Sequence, residues 1–130
     1  MKLLVVDDSP DIVEILSATM EMFGHEIDAA YDGTEAVKRL QNNRYDVVIT
    51  DAKMPIMDGF ELCKFIKSQF PGVYIIGISG CFHALKELNN AGADICFFKP
   101  FKIEEVEEAI ENRFRSYLPA FDSTTLHLIT

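Results

Sequence analysis

Short apolar runs alternate with helix-period patterns along the chain. Leu3 to Val6 is continuously apolar and reads as a buried strand. Ser9-Pro10 follows, Ser as an N-cap and Pro at the first helical position. Beyond it Ile12, Ile15, Leu16, Met20 and Phe23 recur at three- and four-residue steps and are expected on one inward face, with Gly24 placed to end the helix. His25 to Ala30 is a second, more polar strand, expected at a sheet edge. Asp32-Gly33 turns into a helix with Ala36, Val37 and Leu40 inward.

Asp46 to Thr50 is the third strand. A loop with Pro55 and Asp58-Gly59 leads into a helix with Leu62, Cys63, Ile66 and Phe70 inward, broken by Pro71-Gly72. Val73 to Ile78 is the fourth strand, apolar throughout. Ser79-Gly80 then begins a loop, a short helix runs from about Ala84 to Asn90, and Ile95 to Phe98 is the fifth strand. Pro100 and Glu104-Glu105 start a last helix with Ile103, Val106, Ile110 and Phe114 inward. Five strands alternating with five helices predict an α/β doubly wound fold, a (βα)5 parallel sheet covered on both faces. Right-handed crossovers leave few topologies, and the flavodoxin-like strand order 2-1-3-4-5 is favoured. The pattern stops after Pro119, so residues 1–118 read as one domain and residues 119–130 as a tail or the start of a linker.

The 130 residues, 48% of them hydrophobic, suffice for one cored domain. With 21 acidic against 12 basic residues the net charge is −9, which argues against direct nucleic-acid binding. Cys63, Cys81 and Cys96 are odd in number and lack C-x-x-C spacing, so a disulfide framework or zinc site is not expected and a reducing cytoplasm is. No stretch approaches the roughly 18 apolar residues of a membrane span.

The chemistry lies just after the strands. Asp7 and Asp8 follow the first, Asp51 the third, Ser79 the fourth and Lys99 the fifth. In an open parallel sheet the carboxyl ends of the strands form the ligand crevice, so these five side chains converge there. Carboxylates a few ångströms apart raise one another's pKa and call for a counter-charge. All-oxygen ligation suits Mg²⁺, or Mn²⁺ in its place. Lys99 brings a point charge fit for phosphate oxygens, and Ser79 a donor. One carboxylate is then free to act as a nucleophile towards a phosphoryl group, and Asp51 is the central candidate. Taken singly, the aspartates and Ser79 could be helix caps; an adjacent acidic pair with a third acid after another strand exceeds what capping asks for.

At these positions the chain resembles the receiver domains of two-component response regulators. The matching pieces are Leu4-Val5-Val6-Asp7-Asp8, Asp46 to Asp51, Met54-Pro55-Ile56-Met57-Asp58-Gly59, Ile78-Ser79-Gly80, Ala91-Gly92-Ala93-Asp94 and Phe98-Lys99-Pro100-Phe101, spanning roughly residues 1–118. The resemblance implies that Asp51 is the phosphoacceptor, Asp8 a direct metal ligand and Asp7 one acting mostly through water. It implies that the backbone carbonyl of Lys53 completes the protein's metal ligands, that Ser79 is the switch hydroxyl, and that Lys99 contacts the phosphate. It further implies a cis Lys99-Pro100 peptide and a phosphoryl donor that is a phosphohistidine on a sensor histidine kinase or phosphotransfer protein. A downstream protein target or fused output domain is implied too, with a phosphorylation-promoted homodimer open; such a domain catalyses nothing beyond its own phosphoryl transfer and hydrolysis.

The chain departs from the family at Cys96, where an aromatic is usual three residues before the lysine; Cys96 reads first as a small apolar residue. Lys53 reads equally as a solvated lysine or as a side chain over the pocket. The run Glu104, Glu105, Glu107, Glu108 and Glu111 reads as a solvated helix face, and His25, His83 and His127 show no partner pattern. Two other functions compete. A phosphate-independent binding module has Cys96 as its sole support. A flavin-nucleotide carrier or aspartyl phosphatase is disfavoured because Asp7 and Asp8 would repel a phosphate after the first strand and are adjacent rather than spaced Asp-x-Asp.

Overall fold

The computed structural model describes residues 1–115. Its elements alternate as β1 (Lys2–Val6), α1 (Pro10–Met22), β2 (Glu26–Ala30), α2 (Gly33–Asn42), β3 (Val47–Asp51), α3 (Gly59–Gln69), β4 (Tyr74–Ser79), α4 (Phe82–Ala91), β5 (Ile95–Phe98) and α5 (Ile103–Phe114). All strand pairings are parallel and the sheet order is β2-β1-β3-β4-β5, as the alternation predicts. The tail expected over residues 119–130, and His127 within it, lie outside the described residues.

The two-residue period of the strands sorts the core into halves. Leu3, Val5, Val47, Ile49, Ile76 and Ile78 face α1 and α5, meeting Val13, Leu16, Met20, Val106 and Ile110. Leu4, Val6, Val48 and Ile75 face the other way, onto Ala36, Leu40, Leu62, Ile66 and Leu88 of α2, α3 and α4. β1, β3 and β4 are thereby buried on both faces, which is why their sequences are apolar without alternation.

Several local expectations change. Strands β3 and β4 run one residue further than the apolar runs suggest, so Asp51 and Ser79 are their last residues. In α1, Val13 joins Leu16 and Met20 inside, while Ile15 is 57% exposed and Phe23, past the helix end, is 43% exposed. At about 100° per residue Ile15 lies well over 90° from the buried stripe. Ser9 precedes α1 but makes no side-chain cap; instead its N–H donates to Asp7 Oδ1 at 3.0 Å. Glu107 is not on the solvated face. It is buried, and His25 Nε2 meets its Oε2 at 2.6 Å, joining the start of β2 to α5. Glu107 shares a face with Val106 and Ile110, so the helix turns it inward, where the imidazole offsets the cost of burying a carboxylate.

Candidate functional site

β1, β3, β4 and β5 end at one level of the sheet, because their register pairs Val6 with Thr50, Asp51 with Ile78 and Ser79 with Phe98. Asp7, Asp8, Asp51, Ser79 and Lys99 are therefore brought to one rim. Asp7 is held hardest. It is 1% exposed, its N–H donates to the Ala30 carbonyl at 3.1 Å, and its Oδ1 accepts from Ser9. Asp51 is half-buried and Asp8 is exposed. Each of the three can present one carboxylate oxygen such that all three lie within 4.8 Å of one another.

Lys99 Nζ donates to Asp51 Oδ1 at 3.2 Å and to Asp7 Oδ2 at 3.4 Å. Burial alone pulls the Lys99 ammonium down, but the Asp51 and Asp7 carboxylates outweigh it and hold its pKa above the ordinary value. Asp51 shifts upward: burial acts first, the Asp7 charge adds to it, and Lys99 does not cancel the two. Three carboxylates against one ammonium leave two negative charges crowded together. An all-oxygen donor set with that charge suits a hard divalent cation, Mg²⁺ or Mn²⁺, and the residues present fit one.

The loop from Ala52 to Asp58 closes the rim. Gly59 N–H donates to the Ala52 carbonyl at 2.8 Å, bringing α3 directly beneath the end of β3, where any Cβ at position 59 would overlap the Asp51 carbonyl oxygen. Asp58 caps α3 by accepting from Glu61 N–H at 2.9 Å. Ile56, between them, is 82% exposed with φ +70°, a left-handed conformation that β-branched residues strongly disfavour. Lys53 is exposed. Ser79 is buried; its Oγ accepts from the Cys81 N–H at 3.1 Å and its carbonyl from the Lys99 N–H at 2.9 Å. The Lys99-Pro100 peptide is cis. Thr50, which periodicity places only as a strand residue, is fully buried and donates through Oγ1 to the Asp51 carbonyl at 2.9 Å, bracing the backbone of the central aspartate. Cys96 packs partly buried against the α2–α4 half of the core, where burial raises its thiol pKa, the environment of an inert cysteine.

The model of the response regulator receiver domain family matches residues 3–111. The chain belongs to this family. Receiver domains serve as phosphorelay acceptors in two-component systems and are not enzymes in the usual sense. The chain is 34% identical over 113 residues to the alkaline phosphatase synthesis transcriptional regulatory protein PhoP of Bacillus subtilis, covering 85% of this chain and 47% of that protein. It is 31% identical over 106 residues to the sensor protein EvgS of Escherichia coli K12, covering 80% of this chain and 9% of that protein. It thus spans about half the length of the first of these relatives and a small part of the second.

Among solved structures, a two-component response regulator from Clostridium difficile superposes with a TM-score of 0.84 at 25% identity, covering 92% of this chain and 99% of that one. The response regulator TrrA of Thermotoga maritima, solved in complex with Mg²⁺ and beryllium fluoride, gives 0.79 at 34% identity, covering 85% and 96%. Among the described residues no helix of this receiver is long and apolar enough to cross a membrane.

Proposed function

We propose that this receiver accepts a phosphoryl group on Asp51, with the receiver domain running over residues 1–118. The observation that carries the reading is the Lys99 ammonium bridging Asp51 and Asp7 inside a cluster of three carboxylates. Asp7, Asp8 and Asp51, with the Lys53 backbone carbonyl, would hold Mg²⁺ or Mn²⁺, which when bound neutralises charge on the transferring phosphoryl group. The chain's own residues do the remainder. Asp51, braced through Thr50 and unhindered at Gly59, presents an oxygen to phosphorus. An O–P bond forms to Asp51 as the P–N bond of a phosphohistidine on a sensor kinase or phosphotransfer protein breaks, the imidazole leaving with the electron pair. Lys99 follows the negative charge from the carboxylate to the phosphoryl oxygens. Ser79 donates its hydroxyl proton to one of them. The same pocket admits water for hydrolysis of the acyl phosphate, the domain's self-catalysed reaction.

The added charge then shifts a two-state surface around α4, β5 and α5 towards a downstream target, a fused output domain or a second copy. The net charge of −9 supports a receiver that makes no direct contact with nucleic acid or an anionic membrane surface, and a phosphorelay role supports the cytoplasm as its location. The test is intact mass after incubation with Mg²⁺ and acetyl phosphate. Wild type gains one phosphoryl group that hydrolyses on standing, and Asp51→Asn gains none. An equal gain in both proteins would refute the assignment of Asp51.

A further inference from the structure

α1 and α5 share one face of the sheet, and the flank between them is apolar beyond the core they bury. Near the strand ends, Ile12, Ile15 and Leu16 of α1 face Pro100, Phe101 and Ile103 across a groove of about 400 Å³. Lys99, whose ammonium contacts Asp51, also lines it. Ile15 is 57% exposed and Met22 is 86% exposed. They stand one heptad apart, two turns with a drift of about 20°, so Met22 continues the flank of Ile15 to the lower end of α1. A single exposed apolar residue needs no account, but Ile15 and Met22 extend an apolar groove along one strip, the kind of surface that marks a contact.

α5 ends at the foot of that strip. Both helices run from the carboxyl ends of the strands towards their amino ends, and His25, just past the end of α1, meets Glu107 of α5 at 2.6 Å. The last turn of α5 is set against Tyr74 at the start of β4. Phe114 meets that ring edge-on with centroids 6.2 Å apart, and the Arg113 guanidinium lies 5.4 Å from its centroid. The chain beyond position 115 lies outside the described residues and departs from this point. Its sequence carries Tyr117, Leu118, Phe121, Leu126, Leu128 and Ile129, with Asp122 as its one acidic residue, in a chain of net charge −9. A segment meant for water is rich in charged, Gly and Ser residues, whereas this one carries large apolar side chains. Ten extended residues reach roughly 33 Å. That is about twice the distance of roughly 15 Å that the helix rise gives from Met22 to Ile12.

We propose that the segment 116–130 folds back from the end of α5 and lays its apolar side chains along the α1–α5 groove, over Met22 and Ile15. Tethering favours this occupant over a free partner, because a segment joined to the foot of the groove has an effective concentration on the order of millimolar there. The covered strip borders the acceptor pocket through Lys99, Pro100 and Phe101. A protein phosphodonor that brings its phosphohistidine to Asp51 must therefore displace the tail, whereas a small donor such as acetyl phosphate reaches Asp51 past it. The fold-back itself is independent of the reading of Asp51; its consequence for a protein donor rests on that reading.

The test is photo-crosslinking in the full 130-residue chain with p-benzoylphenylalanine in place of Phe121, followed by peptide mass spectrometry. The expected product is an intramolecular crosslink from position 121 to the α1 peptide that holds Ile15 and Met22, or to Phe101 and Ile103, with a yield unchanged on tenfold dilution. Ile15→Asp, at an exposed position, sets a charge in the apolar contact and should lower that yield roughly 3-fold or more. Crosslinks to any other surface, or none, would overturn the fold-back, as would a yield indifferent to Ile15→Asp. A product of twice the mass that fades on dilution would overturn it too, by assigning the groove to the tail of a second copy. The crosslink reads the tail alone, so these failures leave the Asp51 reading standing. Loss of acetyl phosphate labelling at Asp51 would instead remove only the consequence for a protein donor.

Discussion

Replacing Asp8 by Asn should stabilise the metal-free protein and weaken its response to Mg²⁺. One oxygen from each of Asp7, Asp8 and Asp51 lies within 4.8 Å of the others. Unit charges at that separation repel by about 1 kcal/mol at the dielectric of water and by about 3.5 kcal/mol at an effective value of 20. Asp8 is exposed, so the lower figure applies. Two neighbours give about 2 kcal/mol, and attraction to Lys99 offsets part of it, leaving a net gain of about 1 kcal/mol on removing the charge. For a domain of this size that is a rise of about 4–6 °C in Tm in the presence of EDTA.

Mg²⁺ reverses the order. At a concentration of 100 times its Kd it stabilises wild type by about 2.7 kcal/mol. A tenfold loss of affinity in Asp8→Asn cuts that to about 1.4 kcal/mol, more than erasing the variant's advantage. Thermal melts of both proteins with EDTA and across a Mg²⁺ series check this. A lower metal-free Tm in the variant, or an identical Mg²⁺-dependent rise in the two, would refute the reasoning.

Asp51→Asn carries a pH signature. Burial and then Asp7 hold the folded pKa of Asp51 above the ordinary 3.8, so the folded state retains the proton more tightly than the unfolded chain. The destabilisation from its ionisation is thus fully present above the folded pKa and vanishes as pH falls below the ordinary value. Asp51→Asn should accordingly melt higher than wild type without metal at pH 7 and lose that advantage towards pH 4; an advantage that stays constant across this range contradicts the assignment. Ile56→Gly removes the left-handed strain of a β-branched residue at the cost of extra unfolded-state entropy, and urea unfolding should report a net gain of about 0.5–1 kcal/mol. Glu107→Ala leaves His25 buried without its partner and should cost about 3 kcal/mol in the same assay, whereas a solvated-face glutamate would change stability by less than about 0.5 kcal/mol.

The fold and the rim of the site were legible because both follow from local pattern. Continuous apolar runs identify strands buried on two faces, and in a parallel sheet the residues at their carboxyl ends must share a crevice, so Asp7, Asp8, Asp51, Ser79 and Lys99 meet without any long-range information. What periodicity missed depends on partners distant in the chain. His25 and Glu107 are 82 residues apart, and nothing in either neighbourhood distinguishes Glu107 from Glu104 or Glu108. Ile15 looked inward because a three-residue step connects it to Ile12, but the stripe that α1 turns to the sheet is centred on Val13, Leu16 and Met20. The left-handed backbone at Ile56 arises because the loop must bring Gly59 under the end of β3, a constraint imposed by packing against the propensity of isoleucine. The Phe82–Phe98 stack joins a helix start to a strand end, which no single-element period reveals.

The central claim, that Asp51 carries the phosphoryl group, is tested most directly by chemical trapping. Protein treated with Mg²⁺ and acetyl phosphate is reduced with borohydride, which converts an acyl phosphate on aspartate to the alcohol of homoserine, and peptide mass spectrometry then locates the change. The account predicts homoserine at position 51, dependent on Mg²⁺ and absent when EDTA is present during phosphorylation. Homoserine at position 7 or 8 with Asp51 intact would contradict it.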